Sequence, residues 1–255
     1  MKIPFIRKSF VIAELEIRKI LHDPTEIITR AVQPALWILI FGEVFERIHP
    51  LEGHMDYMDF MTPGILAQSV LFVSIFYGIA IIWERDLGLI HKFLATPTSR
   101  FALVLGKAIS AGFRALPIVL IIYLIAIFLK VNLNWRPMNI CGVLIMVILG
   151  SIFFSTFSLI IACIVKTRER FMGIGQLLTM PLFFASNAIY PIDIMPGWLK
   201  AVAKVNPLTY VIDVLRSLMI KNSIPTSLAL DFGVVISASA LFILIGGILY
   251  KRVII

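Results

Sequence analysis

The sequence predicts an all-α integral membrane protein with six transmembrane helices, and three observations support this. The 255 residues are 60% hydrophobic and only 15% charged, whereas soluble domains carry about 25% charged residues. The mean hydropathy is +0.97. Apolar runs long enough to cross a bilayer recur along the chain, and no connecting loop reaches the usual domain size of about 50 residues or more. This composition excludes an ordinary cytosolic enzyme, a disordered chain and a DNA-binding domain.

The N-terminal segment, residues 1–24, is predicted to be an amphipathic helix lying in the membrane interface. Ile6, Phe10, Ala13 and Ile17 repeat on one helical face, with charged residues beside them. Pro24 ends this helix because proline disfavours the helical conformation of the residue before it. The whole chain, 1–255, is then one membrane domain.

The six predicted spans lie within residues 31–250, and apolar run length sets their bounds. The segment 191–227 is too broken by proline for a span and too apolar for a free loop. It predicts two short re-entrant helices in the outer leaflet, with bent backbone covered by protein or facing a wet cavity. The predicted spans are 31–47, 60–83, 106–129, 139–165, 171–190 and 228–250, and the key residues of the re-entrant segment are Pro191, Pro196, Trp198, Asn206 and Pro207.

The distribution of basic residues predicts the orientation. With the N-terminus inside, the inner segments hold 15 of the 23 Lys and Arg residues and the outer segments hold 7. The positive-inside rule then places both termini in the cytoplasm. The same rule accounts for the net charge of +8 without nucleic acid as a partner.

The chain lacks the local signatures of nucleotide hydrolysis and of catalytic zinc. Cys141 and Cys163 have no metal-site or disulfide spacing and are interpreted as packing residues. The ionisable residues within spans are Lys107, Arg114 and Asp231, which we expect near helix ends with their long side chains reaching headgroups. An ion-coupled carrier would need such residues deep in several helices. The energy for any transport should therefore come from another chain.

The loop after the second span is predicted to hold a short cytoplasmic helix. Leu87, Ile90 and Leu94 fall on one helical face, and Pro97 ends the helix. Such a helix docks its apolar face in a groove of a soluble partner or rests on lipid, and the pattern alone leaves both open.

Two stretches resemble a known family. The first, 84–100, resembles the cytoplasmic signature of the type-2 ABC transporter permeases. The second resembles the drug-resistance and nodulation lipo-oligosaccharide exporter branch of that family, and it includes 187–191, 195–199, 205–210, Asp213 and Arg216. The resemblance extends over essentially the whole chain.

The resemblance implies a non-enzymatic permease subunit in a prokaryotic plasma membrane, paired with a second permease that is identical or related. Two copies of a separate ATPase subunit would bind ATP and magnesium, so this chain would hold no cofactor and no catalytic residue. The implied substrate is an amphipathic drug or lipid-like molecule moved outward. The alternative is a lipid-linked saccharide or polysaccharide. An ion-coupled secondary transporter, a membrane-embedded enzyme and a scaffolding protein are the competing classes.

The resemblance also implies two contacts with the ATPase, one in the loop after span two (the coupling helix) and one after span four. The same charged residues would also serve as positive-inside anchors, which is the alternative interpretation. The coupling residues are Glu84, Arg85, Gly88, Leu89, Lys92, Leu94, Thr96 and Pro97 in the first contact, and Lys166, Arg168, Glu169 and Arg170 in the second.

In this family spans two and five face the dimer axis, which implies a set of substrate-pathway residues. Aromatic rings there could stack on a flat amphiphile, although the chain has 19 Phe residues and most should pack on lipid or other helices. The predicted pathway residues are Gln68, Phe72, Phe76, Gln176, Met180, Phe184 and Asn187.

Overall fold

The computed structural model describes residues 14, 32–42, 44, 56–88, 99–165, 167–221 and 227–250. The described part is helical, without a named strand. The amphipathic helix predicted for 1–24 lies outside the described residues apart from Glu14. The helices are α1 (Val32–Gly42), α2 (Tyr57–Phe76), α3 (Gly78–Asp86), α4 (Arg100–Phe128), α5 (Pro137–Ile164), α6 (Arg168–Phe184), α7 (Gly197–Val205), α8 (Pro207–Met219) and α9 (Leu228–Leu249).

Four described stretches are long and apolar enough to cross a membrane, which confirms predicted spans two, three, four and six. They are α2 with α3 as one run, Tyr57–Asp86, then α4, α5 and α9. Predicted spans one and five correspond to α1 and α6. In the described residues α1 has its second half, Trp37–Gly42, wound as a π-helix, and α6 has 17 residues. The total of six crossings stays a prediction.

Local sequence explains where several helices begin. The Ser99 hydroxyl accepts a hydrogen bond from Ala102 N at 3.3 Å and so caps α4. The Thr167 hydroxyl caps α6 by accepting from Arg170 N at 3.4 Å. Pro137 stands at the start of α5, where its missing N–H costs nothing.

The helices α2 and α5 form the centre of the bundle. α5 packs against α2, α4, α8 and α9, and nearly all of α2 is buried. α9 is peripheral and leaves Leu241, Leu244 and Ile248 exposed. Exposed apolar side chains on such helices suit a lipid environment.

The two ends of the bundle are formed by different helix termini. At one end α3 ends, α4 begins, α5 ends and α6 begins; we name this the Lys107 end. At the other, α2 begins and the segment after α6 packs with α8; we name this the Arg216 end. The short helices α7 and α8 occupy the predicted re-entrant segment, and their depth in a membrane stays a prediction.

The structure corrects the prediction for Lys107. Span three was expected to begin at residue 106, which would leave the Lys107 ammonium near headgroups. Instead α4 begins at Arg100, so Lys107 lies two turns inside the helix and is only 3% exposed. Its ammonium pairs with the carboxylate of Glu84 at 2.6 Å. The prediction was wrong because the Ser99 cap, rather than the apolar run, sets the start of the helix.

Candidate functional site

The Lys107 end brings the two predicted coupling segments together. Arg168, at the start of α6, forms an ion pair with Asp86 at 2.9 Å. Its guanidinium carbon lies 3.6 Å from the ring centroid of Trp83, a stacked geometry that arginine favours. Arg85 donates to the Val165 carbonyl at 3.4 Å. The end of α3 and the start of α6 therefore form one surface.

Gly88 ends α3 with a left-handed backbone conformation. Its φ of 69° is in the left-handed region that side chains disfavour. Its N–H donates to the Arg85 carbonyl at 2.9 Å and so closes the last turn of α3. The preceding Leu87 is 66% exposed. The apolar face predicted for the coupling helix thus begins with an exposed side chain.

Several predicted coupling residues cannot be placed. Glu169 and Arg170 are exposed in the first turn of α6, as a surface contact requires. Those that lie outside the described residues are Leu89, Lys92, Leu94, Thr96, Pro97 and Lys166.

Glu84 has a different position from its neighbours in the coupling segment. Its side chain is buried against Lys107, so it faces the interior rather than the surface. One turn further into α4, Ser110 hydrogen bonds with the Tyr77 hydroxyl at 2.9 Å. The turn that separates α2 from α3, at Tyr77, is therefore held to α4 by an ion pair on one side and a hydrogen bond on the other.

A cavity of about 480 Å³ lies between α1, α2 and α6 and is partly open. Five of the seven predicted pathway residues line it. The described residues around it are Gln68, Phe72, Phe76, Gln176 and Met180, which were predicted, and Gln33, Pro34, Ser69 and Val73, which were not.

The cavity lies in the middle third of the longest run of helix. Gln68 is eleven residues after Tyr57, or about 16 Å along the axis at 1.5 Å per residue, and Tyr57–Asp86 has 30 residues. The Phe72 and Phe76 rings lie one turn apart with centroids separated by 6.1 Å. The Ser69 hydroxyl is already bonded to the Ile65 carbonyl at 2.7 Å. The lining is therefore partly aromatic and partly amide.

The other two predicted pathway residues do not line the cavity. Phe184, at the end of α6, is 42% exposed and contacts the Phe183 ring at 5.3 Å between centroids. Asn187 is buried, and its amide donates to the Asp213 carboxylate. Burial raises the pKa of Asp213 above its usual value, while Arg216 and the hydrogen bond from Asn187 oppose that rise. Asn187 thus belongs to a polar network at the Arg216 end.

Arg216 joins three parts of the chain in that network. Its guanidinium donates to the Phe60 carbonyl at 3.2 Å and to the Asn187 carbonyl at 2.6 Å. It also lies over the Phe60 ring, 3.8 Å from the centroid. Gly64 permits the close approach, because a Cβ there would clash with the Ala188 carbonyl oxygen. The beginning of α2, the end of the α6 segment and α8 are thereby fixed together.

Asn206 explains how the re-entrant segment turns. Its side-chain oxygen accepts from Leu208 N at 3.0 Å and caps α8, which continues from Pro207 at the first helical position. Its amide nitrogen donates to the Leu182 and Ala185 carbonyls at 2.7 and 2.9 Å. This one side chain satisfies both the start of α8 and the end of α6.

The prolines and the tryptophan of the segment have simpler positions. Pro191 and Pro196 precede the short 3₁₀ turn Ile192–Ile194 and α7, respectively. Trp198 is 71% exposed. An exposed indole at a bundle end suits the headgroup region of a membrane.

Sequence reasoning missed Gln33 and Ser69 in the cavity and the Glu84–Lys107 pair. A glutamine inside an apolar run, as at position 33, was the available signal for the cavity. The ion pair had no local signal, because the partners lie 23 residues apart across a loop. Among the described residues no group of His, Cys, Asp and Glu side chains could hold a metal ion.

Comparison with known proteins gives consistent matches. A family model described as ABC-2 type transporter matches residues 8–220. A transport permease, ycf38, of Cyanophora paradoxa is 29% identical over 98% of this chain and 89% of its own length. The daunorubicin resistance ABC transporter permease protein DrrB1 of Streptomyces coeruleorubidus is 23% identical over 78% of this chain and 70% of its own. The inner membrane transport permease YadH of Escherichia coli K12 is 23% identical over 89% and 87%.

Proposed function

This chain belongs to the ABC-2 type transporter family and is a transmembrane permease subunit of an ABC transporter, and from that premise we propose that it exports an amphipathic drug or lipid-like molecule. ABC-2 permeases work with an ATPase subunit. In our proposal two copies of a separate ATPase bind ATP and magnesium, and this chain supplies the path through the membrane.

The observation that carries the proposal is the cavity at the middle of the Tyr57–Asp86 run. It lies at mid-depth between helices, where binding sites of helical membrane bundles are expected. Aromatic rings and amides together line it, which suits a molecule with an apolar body and a polar group. The exposed side of α6, with Met172, Leu177 and Met180, would face a second permease, identical or related, and close the open side.

The Lys107 end would receive the mechanical work. The exposed Leu87, together with Ile90 and Leu94, would dock in the ATPase, and the Arg168–Asp86 ion pair would pass the movement to α3 and α6 at once. A partner shifts the permease only if it binds its two conformations unequally. With both termini in the cytoplasm of a prokaryote, this end faces the ATPase.

The test is ATP-driven transport in proteoliposomes that contain the permease with its ATPase. Two NBD-labelled probes of equal chain length are used, an alkyl glycoside and an alkylammonium, and dithionite reports the protected fraction. ATP should increase that fraction for at least one probe, and the permease alone should give no increase. Uphill transport without the ATPase, or no ATP-dependent transport of either probe, would overturn the proposal.

A triple variant tests the coupling surface. Leu87→Ala, Ile90→Ala and Leu94→Ala together should leave membrane insertion and ATPase expression normal but abolish most transport, because the apolar face no longer docks. The matched control is the triple alanine variant of Leu241, Leu244 and Ile248, three exposed apolar residues of α9. Equal transport by both variants would contradict the coupling assignment.

A further inference from the structure

We infer that the mid-depth cavity selects an uncharged amphiphile that carries hydroxyl or amide groups, in preference to a cationic one. The inference rests on the proposed function and names the substrate class of the same site. Its basis is the combination of amides that face the cavity, the absence of a charged side chain among the described lining residues, and aromatic surface in the same place.

The Gln68 amide faces the cavity and is available to a ligand. Gln68 is 4% exposed and lines the cavity, and its amide forms no hydrogen bond among the described residues. Its amide atoms are not among the buried side-chain atoms without a partner, so they face the space of the cavity, where water solvates them and a ligand group can replace that water. Gln33 and Gln176 place two more amides around the same space.

Amide side chains suit the hydroxyl and amide groups of a ligand. A glutamine side chain offers two donors and one acceptor oxygen. A hydroxyl also donates and accepts, and so does a substrate amide. Three glutamines around one cavity can therefore satisfy several hydroxyl or amide groups in either direction. A protonated amine only donates and a trimethylammonium head neither donates nor accepts, so either one would leave the amide donors without a partner.

The described lining of the cavity disfavours a charged ligand. The described residues that line the cavity include no acidic or basic side chain. An ion moved into a poorly solvated site without a counter-ion pays a large desolvation penalty. That penalty is greatest at mid-depth in a bilayer. A cationic amphiphile would meet the penalty here, whereas a neutral hydroxylated one would not.

The apolar part of the ligand would contact aromatic rings and a thioether. The Phe72 and Phe76 rings, tilted at 39° to each other, and the thioether of Met180 form the apolar lining. Such rings pack on alkyl chains and on the apolar faces of sugar rings. The volume of about 480 Å³ is within the range of small-molecule sites. The occupant would thus be the polar head and adjoining carbons of a neutral amphiphile.

Binding in nanodiscs tests the inference without transport. The permease–ATPase complex without nucleotide is incubated with radiolabelled dodecyl maltoside, and the signal from empty nanodiscs is subtracted. Unlabelled dodecyl maltoside and dodecyltrimethylammonium, which share the same chain, compete for the site. The maltoside should bind saturably and compete about tenfold or more better than the cation, equivalent to about 1.4 kcal/mol. Equal or better competition by the cation would overturn the inference.

Two variants at one position locate the selectivity. Gln176→Glu adds a carboxylate to the cavity, so we expect the preference to shift toward the cation by about tenfold. Gln176→Met keeps the length but removes the amide, so maltoside binding should weaken severalfold without favouring the cation. Lys204→Glu is the control, since Lys204 is exposed in the short helix α7 and does not line the cavity. If all three variants kept the original ratio, the cavity would not be the selective site.

The outcomes separate this inference from the proposed function. ATP-driven transport with a cation preference would overturn the inference and leave export standing. Selective binding of the maltoside without ATP-driven transport of either probe would overturn export and leave the site standing.

Discussion

Polar side chains are paired at the two ends of the bundle, whereas in its middle a polar side chain faces a cavity. At the Lys107 end, Glu84 and Lys107 neutralise each other at 2.6 Å. At the Arg216 end, one guanidinium bonds two carbonyls from different segments. In the middle, the Gln68 side chain lines a partly open cavity, and its amide forms no hydrogen bond in the described residues. Paired groups fix helices to each other, while an unpaired one leaves bonding capacity for a ligand.

Paired and unpaired polar groups differ in how much they contribute to the free energy of unfolding. A buried ion pair is costly to break, because the remaining charge has no partner. An amide that faces an open cavity is solvated there, so it contributes little to the contacts between helices. Substitutions at the ends should therefore reduce stability, and substitution of the amide should not.

Lys107→Met should give the largest effect. It leaves the Glu84 carboxylate buried without a counter-ion, which typically costs about 3–5 kcal/mol. The free energy of unfolding of the purified permease in detergent should fall by that amount. The double variant Glu84→Gln, Lys107→Met should recover most of the loss, since an uncharged pair needs no counter-ion. A loss below about 1 kcal/mol in the single variant, as for exposed pairs, would mean that the pair is hydrated.

Arg216→Met should have the next effect. It removes hydrogen bonds from a charged donor to the Phe60 and Asn187 carbonyls, and such bonds contribute about 1.5–3 kcal/mol each. We expect a loss in that range, by the same unfolding measurement. Arg216→Lys should recover only part of it, because an ammonium cannot reproduce the planar fork.

The control for this position is Lys204→Met, which removes an exposed cation from α7 and should change stability by less than about 0.5 kcal/mol. Equal losses for Arg216→Met and Lys204→Met would mean that the Arg216 network does not fix the segment.

The sequence predicts the described membrane-capable helices well, because apolar run length is a direct consequence of bilayer thickness. It does not predict the depth of Lys107, because the hydroxyl of Ser99 extends α4 beyond the apolar run. It also misses the partner of Glu84, since the pairing depends on how α3 and α4 pack. Run length specifies which segments are helical, and tertiary packing specifies which polar groups meet.

At the candidate site, too, some features follow from the sequence pattern and others from tertiary packing. Gln68, Phe72 and Phe76 follow one another at helical spacing, so their shared face is readable from the sequence. Gln33 of α1 reaches the same cavity by tertiary packing, and its only signal in the sequence is an amide inside an apolar run. Asn187 was grouped with the pathway because a buried amide needs a partner, and its partner is Asp213 in the same chain.

Gln68→Leu should give the smallest change in stability and the sharpest contrast with the ends. The variant replaces an amide that forms no hydrogen bond in the described residues by an apolar group of similar size, so the free energy of unfolding should change by less than about 1 kcal/mol. Maltoside binding in nanodiscs should fall, because an amide that would bond the ligand is gone. The matched control is Ser74→Ala on the same helix, whose hydroxyl has no partner in the described residues and does not line the cavity. Ser74→Ala should share the effect on stability and leave binding unchanged. A loss of more than about 1 kcal/mol in Gln68→Leu would show that the amide is bonded inside the protein, and the middle of the bundle would then follow the same rule as its ends.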